Sequence, residues 1–598
     1  MQSTIKSAVN KLSIKLSWLP HFRPGEHTLL IVQAFIIGIL AGVANVLFRS
    51  TMHFVHDVIF VGGSRLLQIP EWGPGRLLLP LLPMFGALLL IPLSLTFPGQ
   101  VNGYGFPKFL ETVNIKGGVI KLRNIVIKTL GPALTIGSGG SAGVEGPIAF
   151  VGGTVGSGVG QVFRVSGERM RLLIAAGCAG GIAATFNAPI AGVMFASEIV
   201  LLGNYELASF SAIVISSGIA TVIARWFYGA NPAFPVLQQY DLVSPFEIPL
   251  YIMLGLIVGV LAVAYIKIFH RIRKKFERLH LHPQLKPVFG AFVVGCIGIF
   301  LPQVMGDGYD FIGTVLNIKE VQVSTFIFPI ILLIFLKMFA TAFTLGSGGA
   351  GGVFAPALFI GAMIGGSFGI LVHALFPEYT ATAGAYAAVG IGAFLSAATH
   401  APLTGIFLLF EITGDYQIII PLMFSSIIGS LVARRLNADS IDTVELTERG
   451  VKIHAGREVA IMSSVKVKDV MREGVPTVHE HTTLSDLVNV MINTERFHIP
   501  VVNAGNEMVG VVSIQDVRPV MLEEDIKKIV RAIDIATEKV ITLSPYDNLN
   551  TAMERFSTKD IEEIPVIDTH YPKKVIAMVT RRDVIAAYNK EVLKKQAR

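Results

Sequence analysis

Apolar positions in this chain fall in blocks too long to be the faces of a soluble core. Between Arg76 and Lys108 there is no charged residue, Leu172 to Ser197 has none, and Met338 to Pro377 holds no acidic or basic residue except His373. A helix of about 20 such residues crosses a hydrocarbon core, so the blocks predict membrane spans. They are expected at about 28 to 48, 77 to 97 and 209 to 223, from about 248 onward, and near 287 to 301 and 325 to 345. At Leu431 the apolar pattern stops. Beyond Arg434 and Arg435 charges recur at regular spacing and short runs alternate in hydrophobicity, as in the strands of a soluble unit.

The block from Thr129 to Phe163 contains a single charge, Glu145, inside GSGGSAGVEGP at 137 to 147. A lone carboxylate at membrane depth costs about 2.5–3.5 kcal/mol on insertion scales, so something specific must solvate it. The glycines leave backbone N–H groups bare and Pro147 suits a helical first turn, which predicts a helix N-terminus aimed at negative charge. Each partly buried terminus contributes about 1–2 kcal/mol, so two or three together offset the carboxylate and hold a free anion equally well. Taken alone, the stretch also fits a tight turn of small residues with Glu145 reaching outward.

Recurrence favours the first reading. GSGGSAGVEGP at 137 returns as GSGGAGGVFAP at 346, 209 residues on, and FNAPIAGVMFASE at 186 to 198 is echoed by THAPLTGIFLLFE at 399 to 411. Paired glycine- and proline-interrupted segments at matching places in two halves point to a site built from broken helices. The expected architecture is an α-helical polytopic membrane protein with an inverted internal repeat and an anion site between the halves. Because Phe354 stands where Glu145 stands in the first copy, the titratable gate belongs to one half only. GYGFP at 103 to 107 is a further glycine-punctuated turn, readable by itself as a loop at a helix end. Asn187, Ala188 and Pro189 read as a helix break and restart. Glu198, closing that motif, reads as a partner of backbone amides at an aqueous end in preference to a permeation carboxylate.

Composition agrees. Of 598 residues 52% are hydrophobic, 15% are charged and 60 are glycine, with a mean hydropathy of +0.62, as in close-packed multi-span proteins. The net charge of +7 is assigned to basic cytoplasmic segments, the lead-in at 1 to 27 and Lys267, His270, Arg271, Arg273, Lys274, Lys275 and Arg278 beside a span, rather than to nucleic-acid binding. The lead-in lacks the apolar core of a cleavable signal peptide. Cys178 and Cys296 sit in apolar stretches as packing residues, and the 14 histidines are scattered. With no HExxH and no P-loop, neither an enzyme nor a metal site is expected.

The soluble tail repeats too. HIPVVN from His498 leads to MVGVVSIQDV, and EIPVID from Glu563 leads to VIAMVTRRDV. Each unit reads helix, strand, strand, helix, with a Ser/Thr-x-x-Asp turn at Ser513 to Asp516 and at Thr580 to Asp583, a pattern that helix capping alone explains.

Five stretches carry a family resemblance: GYGFP at 103, GVEGP at 143, FNAPIAG at 186, GVFAP at 352 and APLTGIFLLFEIT at 401. With them the membrane part resembles the CLC family of chloride channels and anion/proton antiporters, and the tail resembles an α/β tandem CBS pair. The resemblance implies a cytoplasmic segment at 1 to 27, a membrane domain at 28 to 443 with repeats at about 28 to 245 and 246 to 443, a linker at 444 to 463, and CBS units at 464 to 525 and 526 to 598. It implies that Glu145 is a gate whose carboxylate competes with chloride and is neutralised by protons. Tyr104, Gly105, Phe106, Gly143, Gly146, Val353 and Phe354 would then line the anion site, the last two offering backbone amides. Chloride and protons are the implied partners, in a homodimer embedded in the lipid bilayer of the cell membrane with both termini cytoplasmic. No cofactor is required. An adenine nucleotide (ATP, ADP or AMP) is implied for the CBS pair, with Asp516 and Asp583, beside Ser513 and Thr580, reaching ribose hydroxyls.

Three departures from the family pattern stand out. Tyr104 replaces the anion-coordinating serine. Asp442, in SIDT at 440 to 443, replaces the family's coordinating tyrosine, so it is expected to point away from the anion, to be protonated, or to take part in proton movement. Tyr104 is expected to reach into the central site in that tyrosine's stead. Ile199 stands where antiporters carry an inner glutamate, and Val144 where a basic residue precedes the gate. The expected function is anion transport gated by Glu145 and coupled to protons, under CBS regulation. The alternative is a passive voltage- or ligand-gated chloride channel.

Overall fold

The computed structural model describes residues 26–597 apart from 71–72, 166, 204–206, 231–241, 318–322, 452–461, 464, 495, 521–526, 560 and 570. Most of the basic lead-in and half of the linker expected at 444 to 463 lie outside the described residues. Contacts divide the chain into two units, Met1–Val444 and Glu445–Arg598.

The membrane unit opens with α1 (Glu26–Val55), longer than the span expected there and continued by a π-helical turn, His56–Val61. Then follow α2 (Leu81–Thr96), α3 (Phe106–Asn114), α4 (Asn124–Gly137), α5 (Glu145–Val162), α6 (Gly167–Phe186), α7 (Pro189–Phe195) and α8 (Leu207–Tyr228). The same series repeats as α9 (Glu247–Arg278), α10 (Lys286–Phe300), α11 (Tyr309–Leu316), α12 (Val323–Gly346), α13 (Phe354–Leu375), α14 (Ala383–Thr399), α15 (Pro402–Thr413) and α16 (Ile419–Leu436). Among the described residues eight helices are long and apolar enough to cross a membrane, which makes this a multi-pass membrane protein. The short elements α3, α7, α11 and α15 start or stop at glycine and proline inside the bundle, where polar backbone ends are shielded from lipid by protein.

The repeats meet through reciprocal bonds. The Gly143 amide donates to the Gly352 carbonyl at 2.8 Å and Gly352 donates back to Gly143 at 2.7 Å. Likewise the Ser141 amide donates to the Thr344 hydroxyl at 3.0 Å, and the Ala350 amide to the Thr135 hydroxyl at 3.0 Å. In each exchange, residues 209 positions apart trade roles, as a two-fold relation between the halves demands. Where α5 crosses α6, Gly152 and Gly177 approach so closely that a Cβ on either would strike the other's carbonyl; Gly361 and Gly390 do the same between α13 and α14. Small residues at these crossings let backbones pack where lipid offers no hydrophobic drive.

In the tail, β2 (Val478–His479), β3 (His498–Val502) and β4 (Met508–Ser513) form one sheet, with α17 (Leu484–Thr494) between its first two strands. The second sheet joins β1 (Arg472–Glu473) to β6 (Val575–Thr580) and β5 (Glu563–Ile567), flanked by α18 (Leu549–Lys559) and α19 (Arg581–Ala597). Leading segments are exchanged: β1 and Val467 join the second unit's sheet and core, while Ala532 and Thr537 pack on the first.

Candidate anion pathway and its carboxylates

Glu145 is fully buried at the first position of α5. Its carboxylate does not turn outward. Oε2 accepts the backbone N–H of Ala355, 3.1 Å away in the first turn of α13, and Oε1 accepts the Tyr309 hydroxyl at the start of α11. The side chain of one repeat therefore sits on the helix N-terminus of the other. The donating amide is Ala355, one residue past the expected Val353 and Phe354, since first-turn N–H groups point back along the helix axis. Gly146 lies against Gly352, and the paired turn at Gly143 and Gly352 leaves no room for a Cβ. A negative group at this position is held by backbone dipoles, whether it belongs to a side chain or to an ion.

On the other side of Gly146 is the Tyr104 ring. Its hydroxyl donates to the carboxylate of Asp442, and both residues are buried. Asp442 thus turns its carboxylate towards Tyr104. The turn carrying it is fixed by a bond from the Ile441 amide to the Ala398 carbonyl of α14. Tyr104 and Tyr309 end an unbroken row of rings: Tyr309, Phe186, Phe354, Phe195, Phe106 and Tyr104, with neighbouring centroids 6.0 to 6.4 Å apart. Gly105 lies beside Phe106 and the buried Lys128.

Several participants escaped the sequence reading. GDGYD at 306 to 310 is the second copy of GYGFP at 103 to 107, and it supplies Tyr309. Lys128 and Lys337 are another pair 209 apart. Lys128 lies 5.3 Å from the Phe150 ring and Lys337 4.9 Å from the Phe359 ring, and these rings are 209 apart as well. Lys337 also donates to the carbonyls of Val304 and Gly306, both at 3.0 Å. A search for equal offsets among lysines would have found them.

Val144, where a basic residue was expected, borders a cavity of about 790 Å³ whose wall includes Arg49, His53, His56, Arg225, Asp307, Tyr309 and Asp310. Ile199 is buried in the π-helical turn Ala196–Val200. Its neighbour Glu198 accepts the amides of Leu403 and Thr404 at 3.1 and 2.6 Å and the Thr404 hydroxyl at 2.8 Å, the structural role expected of it. Glu411 does the same for Ile190 and Ala191, at 2.9 and 2.7 Å. GGSAG at 139 to 143 has the spacing of a hydrolase nucleophile turn. Its Ser141 hydroxyl meets only the Thr341 hydroxyl among the described residues, at 3.2 Å.

In the tail, Asp516 accepts the Ser513 amide at 2.8 Å and hydroxyl at 2.6 Å. Asp583 accepts the Thr580 hydroxyl at 2.7 Å and Arg472 at 2.5 Å. Both carboxylates thus cap helices.

Residues 85–434 match the family model described as voltage gated chloride channel, and residues 467–523 and 530–590 match that of the CBS domain. A Ralstonia nicotianae protein named putative chloride channel protein ClcB-like is 34% identical over 418 residues, 68% of this chain and 94% of its own. The H(+)/Cl(-) exchange transporter ClcA of Vibrio cholerae is 32% identical over 417 residues, 68% of this chain and 87% of its own. Among solved structures, a slow cyanobacterial Cl⁻/H⁺ antiporter aligns with a TM-score of 0.61 at 28% identity, covering 70% of this chain and 97% of its own. A eukaryotic CLC transporter, at 19% identity, shares the fold over 93% of this chain and 97% of its own, with a TM-score of 0.60.

Proposed function

The chain belongs to the voltage gated chloride channel family and carries a tandem pair of CBS domains, and from that premise we propose that it exchanges chloride, or a similar small anion, for protons across a lipid bilayer. The observation that carries this reading is the Glu145 carboxylate seated on the N-terminus of α13. Protonation removes its charge and its hold on the Ala355 amide. The vacated amides then receive an anion, and on losing the proton the carboxylate returns. Each cycle moves a proton one way and an anion the other. The exchange transporter and antiporter among the relatives support coupling.

Tyr104, Gly105, Phe106, Gly143, Gly146, Val353 and Phe354 line the anion position. Reversal potential and chloride-driven proton movement in liposomes test the reading, with Glu145→Gln alongside. Proton uptake against its gradient by the wild type, lost in the variant, is expected. Current reversing at the chloride Nernst potential with no proton movement would instead establish a passive channel, a reading favoured by Ile199.

Basic residues along the end of α9, from Lys267 to Arg278, support a cytoplasmic position for that end and for both termini, in a protein of the cell membrane. In a homodimer each subunit then holds its own pathway. The CBS pair regulates transport, and calorimetry of the whole protein with ATP, ADP and AMP tests nucleotide binding. Heat from any of them would assign the ligand, and silence from all three would make the pair a scaffold.

A further inference from the structure

The buried carboxylates of the membrane unit differ in how completely they are satisfied. Glu247 accepts two backbone amides and the Tyr386 hydroxyl. Glu198 and Glu411 each take two amides from a helix N-terminus, and Glu111 pairs with Lys116 at 2.8 Å. Asp442 has no such arrangement: among the described residues it accepts one bond, from the neutral Tyr104 hydroxyl, and forms no ion pair. An ionised group buried with so little compensation belongs to a functional site more readily than to a scaffold.

Its position sharpens the point. The hydroxyl it holds lies on the ring that borders Gly146, immediately beyond the gate glutamate. The titratable groups that face Asp442 are Tyr104, just ahead of α3, and Tyr265 of α9. Lys128 of α4 is turned to Gly105. Among the described residues no cation therefore neutralises the carboxylate when it is charged, and the Tyr104 hydroxyl has a single proton to donate. Asp442 and an anion beside Tyr104 compete for that proton.

We propose that Asp442 is a second protonatable gate of the pathway, beside Tyr104, whose charged carboxylate holds the Tyr104 hydroxyl and excludes the anion. A proton from the aqueous phase adds to the carboxylate oxygen and gives a neutral acid. Tyr104 then donates to the anion, and loss of the proton restores the closed pair. The chain so carries two carboxylate–tyrosine pairs, Glu145 with Tyr309 and Asp442 with Tyr104, although position 199 holds isoleucine. This deepens the exchange reading and rests on it for the direction of proton flow, but not for the competition.

Chloride titration calorimetry on the full-length protein, in a Glu145→Gln background that removes the gate at Glu145, tests the competition. Affinity is expected to rise at least about tenfold between about pH 8 and about pH 5, and adding Asp442→Asn should make it high at both. A pH dependence that is absent from Glu145→Gln, or that survives Asp442→Asn, overturns the proposal. Tyr104→Phe in the same background guards against misfolding of the aspartate variant: it should weaken binding about tenfold at low pH, and unchanged affinity would likewise overturn the proposal. Lack of proton transport by the wild type in liposomes would sink the exchange reading while leaving these binding results to stand or fall alone.

Discussion

At the scale of single residues, the proposed gate at Glu145 is a balance between two donors and an incoming ion. A hydrogen bond to a charged group is worth about 1.5–3 kcal/mol, so the Tyr309 hydroxyl is a large part of what keeps Glu145 on α13. Tyr309→Phe keeps the ring beside Phe186 and removes only that donor. Chloride efflux from liposomes should rise by about tenfold at neutral pH, the equivalent of about 1.4 kcal/mol, with elution from gel filtration unchanged. Unaltered efflux would show that Ala355 alone latches the gate. For Asp442 the energy runs the other way. An anion held about 4 Å from an ionised carboxylate, at an effective dielectric of about 20, is repelled by about 4 kcal/mol, enough to empty the site until the carboxylate is neutralised.

Between elements, the capping of α7 and α15 is mutual. Glu198 follows α7 and binds the start of α15, while Glu411 near the end of α15 binds the start of α7. Each helix carries the counter-charge for the other's dipole, which holds the pair in its relative position. Glu198→Gln keeps one acceptor oxygen and loses the charge, and should cost about 1–2 kcal/mol. A melting temperature lowered by a few degrees, with proton-to-chloride coupling intact in the protein that survives, is expected. Loss of coupling without loss of stability would place Glu198 in the proton path instead. Sequence alone favoured the structural role but could not name its partner, because the amides belong to a helix 204 residues further on, starting at Pro402.

In the whole molecule the tail illustrates how pairing beyond the unit boundary stabilises a fold. Strand β1, only two residues long, belongs to the second sheet, and Arg472 in it is bonded to Asp583 at the head of α19. Partial burial by itself would raise the Asp583 carboxyl, but the Arg472 and Thr580 bonds outweigh it and hold it below the ordinary carboxylate value. Its contribution is therefore present above the unfolded value of about 3.9 and is lost as pH falls through the lower folded value. Arg472 is more than half exposed, so screening limits the pair to about 0–1 kcal/mol. Arg472→Ala should speed hydrogen exchange in β1 of the intact protein by no more than about fivefold at neutral pH. The difference from the wild type should close in acid, and a difference that persisted there would mean the strand is held by something other than this pair.

What the amino-acid order determined by itself is whatever repeats or is local. Apolar blocks mark the spans because lipid leaves a helix no other way to satisfy its backbone. The GSGG and NAP copies at nearly equal offset mark the two halves, and Ser513 to Asp516 marks a cap because four residues suffice to make one. Tertiary structure alone decided which ends meet. Nothing in the residues around position 104 announces position 442, which only the family resemblance brought to the same site, and the second copy of GYGFP was hidden because its tyrosine and aspartates share only the glycines with the first. Contacts between side chains hundreds of residues apart follow from how the inverted halves interlock, and that is set by glycine crossings and exchanged amides rather than by any local pattern.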